Sequence, residues 1–236
     1  MTEQESSGTA QGLGEDFGRR FVQGVQRLLG ENAEALGELD RRAGDGDFGT
    51  SVRTALSQLD RETEQEQPST YRQWLSALYR GWLAVGGTSG PLFGVFFREL
   101  AKAGEADGTP QVEELVEALA AGQAIVQRYG EAEVGDKTMV DALAPAVEAM
   151  RRSLHDGEPS QHVLEAGEAA AVEGARSSAE SLARRGRASY VGEASQGVID
   201  PGAAAMALVL GAARAAADAG RGEQHPAPVR AFQHHV

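Results

Sequence analysis

The sequence predicts an all-α fold, a bundle or antiparallel barrel of about eight helices. Three observations predict it. Apolar residues recur at three- and four-residue spacing along nearly the whole chain, no stretch alternates apolar and polar residues with the period of a strand, and alanine, the strongest helix former, crowds the last two periodic segments.

Taken in order, Phe17, Phe21, Val25 and Leu28 make the apolar stripe of a first helix, and Asp40 stands where a helix closes. Val52, Leu56 and Leu59 make the next stripe, then Leu75, Leu78 and Trp82, then Phe93, Phe96, Phe97 and Leu100. Val112–Tyr129 carries Val112, Leu115, Leu119 and Val126 on one face, and Met139–Leu154 carries Leu143, Val147, Met150 and Leu154. Val163–Arg184 and Gly202–Ala217 are the alanine-rich pair.

With 41% hydrophobic residues among 236, the chain can bury one substantial core, so a single domain over residues 15–219 is expected. Residues 1–14 are polar, and residues 220–236 mix Gly, Pro, His and charge without an apolar face, so both read as flexible tails. His225, His234 and His235 fall in the second tail and are read as surface residues rather than a metal site. The absence of cysteine excludes a disulfide framework, a thiolate metal site and a cysteine nucleophile. A net charge of -13 excludes a nucleic-acid partner, because a phosphate polymer would be repelled over most of the surface. The amino terminus has no basic flank ahead of an apolar run, and no segment reaches about 18 uninterrupted apolar residues, so a cytoplasmic protein away from membranes is expected. An acidic protein can still bind a small phosphate compound if metal ions or a few placed arginines invert the field locally.

Four glycine-rich connections stand out: LDRRAGDGDFGTS, GGTSGPLFG, VGDKTM, and the pair GRASYVGE and IDPGA. That much glycine between helices calls for backbone that approaches something closely. In the first, Gly44, Gly46 and Gly49 fold the chain so that Asp40, Asp45 and Asp47 converge. Three carboxylates within about 4 Å would repel by roughly 1–4 kcal/mol per pair, so convergence implies a cation. All-oxygen donors suit magnesium or calcium; an EF-hand fails, since Gly49 stands at the next alternate position and no glutamate closes the loop. Gly49, Thr50 and Ser51 follow at a helix start, where amides and hydroxyls bind phosphate oxygens. Each motif also has a purely structural reading. Asp47 and Thr50 can cap the Val52 helix, and GGTSG can be a tight turn with Thr88 or Ser89 as cap and Pro91 as first helical residue. Thr138 and Asp141 form a capping-box pattern beside a solvated Asp136–Lys137 turn, Asp200–Pro201 can be a cap and first-turn proline, and Arg187 can be a surface cation rather than a fork on a diphosphate.

Taken together, LDRRAGDGDFG, GGTSGPLFGVFF, GDKTMVDALAP and GRASYVGE with DPGA resemble the L subunit of bacterial dihydroxyacetone kinases and the matching carboxy-terminal domain of the single-chain, ATP-dependent enzymes, from Asp16 to Ala217. The resemblance implies a barrel of eight antiparallel helices with ADP or ATP held at one end by the interhelical loops. It implies that Asp40, Asp45 and Asp47 hold two Mg2+ ions, and that Gly49, Thr50, Ser51, Thr88 and Ser89 contact phosphate or its metals. It also implies that Gly135 and Met139 flank the base and that Arg187, Asp200 and Gly202 close the pocket. The acceptor sugar would sit on a separate K-type subunit, and a phosphohistidine-carrying M-type protein would recharge the ADP in phosphotransferase members. Phe48 departs from the pattern, since many L subunits have histidine there. A non-catalytic nucleotide-sensing module that binds a regulatory partner is the alternative; the nucleotide-binding half of a fatty-acid kinase is disfavoured by GRASY and DPGA.

Overall fold

The computed structural model describes residues 12–190 and 192–219, and among them it is all-helical, with nine α-helices and no strand. They are α1 Phe17–Glu31, α2 Ala33–Ala43, α3 Phe48–Glu66, α4 Tyr71–Leu83, α5 Ser89–Leu100, α6 Val112–Gly130, α7 Val140–His155, α8 Ser160–Ser177 and α9 Pro201–Ala219. From α2 onward each helix packs on the next, and α9 returns against α1 as well as α8, closing a ring around one continuous core. Leu13, on the tail side of the expected boundary, is buried in that core; residues 220–236 lie outside the described part.

The helix beyond the expected eight is α2, split from α1 by one residue. Asn32 leaves helical geometry (φ -104, ψ 5) and its Nδ2 donates to the Leu28 carbonyl at 2.8 Å, so the chain turns and restarts. Leu36, Leu39 and Ala43 then face the core at helical spacing. The expected Val163–Arg184 helix stops at Ser177. There the Ser178 hydroxyl donates to the Ala175 carbonyl at 2.6 Å and accepts the Asp200 amide at 2.9 Å, tying the helix end to the start of α9.

Two close approaches rest on glycine. Pro145 inside α7 supplies no N–H for the Asp141 carbonyl, and Gly174 of α8 sits against that carbonyl, where a Cβ would come within 2.1 Å. Gly90 in the first turn of α5 is similarly placed against the Val85 carbonyl. By length and hydropathy α9 would pass for a membrane span, but 83% of that window is buried in the protein, which makes it the ring's core helix. Its Arg214 is buried between Glu168 and Asp218, so the charge is paired where it is desolvated.

The ring positions the site by parity. Neighbouring helices joined by short connections run antiparallel, so every second connection lies at the same end. The α2–α3, α4–α5, α6–α7 and α8–α9 connections are the glycine-rich motifs, and all open on one end.

Candidate functional site

At that end the four connections surround a cavity of about 540 Å³, within the usual range for a small-molecule site. Asp40, Asp45, Asp47, Thr50, Ser51, Thr88, Ser89, Met139, Arg187, Asp200 and Gly202 all line it. Helices α3, α5, α7 and α9 begin here, and their first turns, from Thr50 and Ser51 to Ser89, Met139 and Gly202, supply much of the wall. The positive ends of those helices therefore face a shared space inside an acidic protein. Val85, Leu92, Phe93, Val126 and Met139 form an apolar side. A second cavity, about 440 Å³ beside Asn32, is lined by Glu31, Glu34 and Glu38 with a single cation, Arg41, that is paired to Glu38, and the excess of carboxylates would repel phosphate.

The Asp40 carboxylate, near the end of α2, accepts the Phe48 amide at 2.9 Å and so ties the loop to the start of α3. Burial pushes this carboxyl above the ordinary range against that amide bond, and the Asp45 charge adds to the rise. Burial works the same way on Asp45, but the Asp47 amide at 3.3 Å, Arg187 and Asp40 outweigh it and hold Asp45 below the ordinary range. Asp47 begins α3 without capping it through its side chain, which is 74% exposed. Arg187 joins Asp45 and Asp47: its Nη1 donates to Asp45 Oδ2 and lies 3.5 Å from Asp47 Oδ2. The three carboxylates thus meet pairwise, Asp40 with Asp45 directly and Asp47 through a guanidinium; among the described residues no three of them form a ready metal cage. Their donor set still fits a hard divalent ion: acidic oxygens, two adjacent hydroxyls, and carboxylates that already attract a cation.

Asp200 combines the structural and the site readings. Its carboxylate accepts the Ala203 amide at 2.7 Å, capping α9 with Pro201 as first helical residue, and it faces the cavity. Burial pushes it up to about 7, with the Ala203 bond and Lys137 opposing. The Thr138 pattern is also real: the Thr138 amide donates to Asp141 at 2.7 Å and its hydroxyl accepts the Val140 amide at 3.1 Å.

Several expectations are corrected. Gly49 faces α2 rather than the cavity, and a Cβ there would come within 2.4 Å of the Ala33 carbonyl. This glycine serves helix packing. Gly49→Ala should lower Tm by about 5 °C or more, since backbone must move to admit the methyl group; unchanged melting with weakened phosphate binding would return it to the site. Gly135 does not line the cavity either, and its amide donates to Asp141. Pro91 is the third residue of α5, which starts at Ser89, and Thr88 forms no side-chain cap. Phe48 is buried, with its ring 5.7 Å from Phe93 and 6.4 Å from Trp82, so it is a core side chain at the cavity wall.

The Asp136–Lys137 turn is the largest correction, because neither residue is solvated. Lys137 is 1% exposed, and its Nζ donates to the carbonyls of Ser178, at 2.6 Å, and Val198. Burial lowers its affinity for the proton, with Asp200 and Asp141 opposing. Its backbone is left-handed (φ 63), which costs a non-glycine residue about 1–3 kcal/mol. No local pattern distinguishes this lysine from one in an exposed turn.

A family model described as the DAK2 domain matches residues 42–215. The chain belongs to the DAK2 domain family. It is 32% identical to the ADP-binding subunit DhaL of PEP-dependent dihydroxyacetone kinase 1 from Listeria innocua, over 83% of this chain and 93% of that one. It is 36% identical to the corresponding DhaL subunit of Escherichia coli, over 78% and 88%. Among solved structures it resembles the dihydroxyacetone kinase of C. freundii in complex with AMP-PNP and Mg2+, with TM-score 0.64 and 27% identity over 90% of this chain. This DAK2 chain spans 36% of the Citrobacter kinase and nearly the whole of the DhaL subunits.

Proposed function

We propose that this chain binds ADP or ATP with two magnesium ions through residues 15–219 and serves as the nucleotide subunit of a cytoplasmic kinase for dihydroxyacetone or a related short ketose. The observation that carries the proposal is the meeting of four separate motifs around one cavity, with acidic oxygens, hydroxyls, an arginine and an apolar wall. The names of the DhaL relatives, and of the Citrobacter structure with a nucleotide analogue and Mg2+, support the same ligand class.

In this reading Asp40, Asp45 and Asp47 hold the ions, which supply neutralisation of phosphate charge. Thr50, Ser51, Thr88 and Ser89 donate hydroxyl hydrogen bonds to phosphate oxygens, and Arg187 turns from the aspartates towards them. Met139, Leu92 and Val126 offer the base a flat apolar contact. The acceptor hydroxyl comes from a sugar held on a separate K-type subunit. Its oxygen bonds to the terminal phosphorus as the bond to the leaving phosphate oxygen breaks, and the hydroxyl proton departs to that subunit or to water. In a PEP-dependent system an M-type phosphohistidine protein would restore the terminal phosphate on the ADP.

Calorimetry of nucleotide-free protein tests this. ADP should bind once per chain, only with magnesium, and Arg187→Ala should bind about tenfold more weakly because a charge-assisted contact is lost. Arg187→Lys should restore part of the loss, since an ammonium lacks the planar fork. Protein that binds neither ADP nor ATP in magnesium would overturn the proposal.

A further inference from the structure

The chain between Ser178 and Val198 leaves α8, carries Arg187, and returns to α9. Its two ends meet at one buried ammonium, since Lys137 Nζ donates to the carbonyls of both Ser178 and Val198. Backbone closes the same base, with the Gly197 amide donating to the Ala179 carbonyl at 2.8 Å. Asp136 holds the part nearest Arg187. Its carbonyl accepts the Arg184 amide at 3.1 Å, and its carboxylate lies 3.3 Å from Arg185 Nε. Two residues on, Arg187 reaches Asp45 and Asp47.

The backbone at 137 is of the kind that glycine adopts without strain, yet a long side chain stands there and is buried to its tip. A buried ammonium needs partners, and this one finds them on two carbonyls that are twenty residues apart in sequence. We propose that Lys137 and Asp136 are positioning residues that staple the Ser178–Val198 segment to the α6–α7 connection and thereby set Arg187 against the aspartates. The functional half rests on the nucleotide reading above; the staple itself does not.

Lys137→Met keeps the apolar stem and removes the ammonium. Trypsin cuts after Arg184, Arg185 and Arg187, so it reads the segment directly in protein free of nucleotide. Cleavage there should accelerate about tenfold in Lys137→Met relative to cleavage after Arg152 within α7, because loss of a charged hydrogen bond favours local opening. Affinity for magnesium and ADP should fall about tenfold, and in an Arg187→Ala background the same substitution should cost less than about twofold, because the two act through one contact. A purely structural lysine would weaken both backgrounds equally.

Unaltered cleavage in Lys137→Met overturns the staple, whatever the nucleotide does. An affinity loss that persists undiminished beside Arg187→Ala overturns the route through Arg187. Wild-type protein that binds no magnesium and ADP defeats the nucleotide reading, and cleavage alone then decides the staple. If Lys137→Met does not fold, Asp136→Asn takes its place, since it weakens the hold on Arg185 while leaving the carbonyl contact to Arg184, and the same outcomes apply.

Discussion

Asp45→Asn should abolish measurable tight binding of magnesium and ADP, a loss of about a hundredfold or more. Asp45 is the carboxylate on which the acidic loop and Arg187 converge: Asp40, the Asp47 amide and Arg187 each interact with it. Neutralising it removes one of the three proposed ion ligands and leaves Arg187 to pair with the more exposed Asp47 alone. It also removes a charge that opposes ionisation of Asp40, so Asp40 becomes easier to charge while one carboxylate is lost. The core lies elsewhere, and Tm of the nucleotide-free variant should stay within about 2 °C of wild type. Calorimetry at fixed magnesium, with thermal unfolding as the folding control, reads both. A folded variant with unchanged affinity would remove Asp45 from the ion site.

The isolated chain, supplied with ATP and magnesium, should form no dihydroxyacetone phosphate. Hydroxyls, acidic oxygens and an apolar face make up much of the cavity wall, and no histidine among the described residues lines it. His155 and His162 sit at the α7–α8 turn, at the opposite end of the ring by the same parity that gathers the motifs, and the remaining histidines lie beyond the described residues. Without a group to orient the ketose, the proximity contribution of about 7–11 kcal/mol is missing. Turnover should appear only when a K-type partner is added, which also separates a kinase subunit from a nucleotide-sensing module. Robust product formation by this chain alone would require an acceptor site within it.

The all-helical class, most helix positions, the order of the four motifs and the kinds of residue they carry are legible in the sequence, because periodicity and glycine placement are local properties of a chain. The capping roles of Thr138 with Asp141 and of Asp200 were legible for the same reason, each being a contact across three residues. Even α2 had a local signal, the stripe Leu36, Leu39 and Ala43, hidden by a break of only one residue at Asn32. Tertiary structure decided which motif residues meet. Arg187 finds Asp45 across 142 positions, and no spacing rule reports a partner so distant. By resemblance Gly49 contacts phosphate and Gly135 flanks the base, yet the first packs against the Ala33 carbonyl and the amide of the second donates to Asp141. The burial of Lys137 is the sharpest case: a lysine beside an aspartate in a short turn reads as solvated, and only the return of the α8–α9 connection brings two carbonyls within reach of its ammonium and excludes water from it.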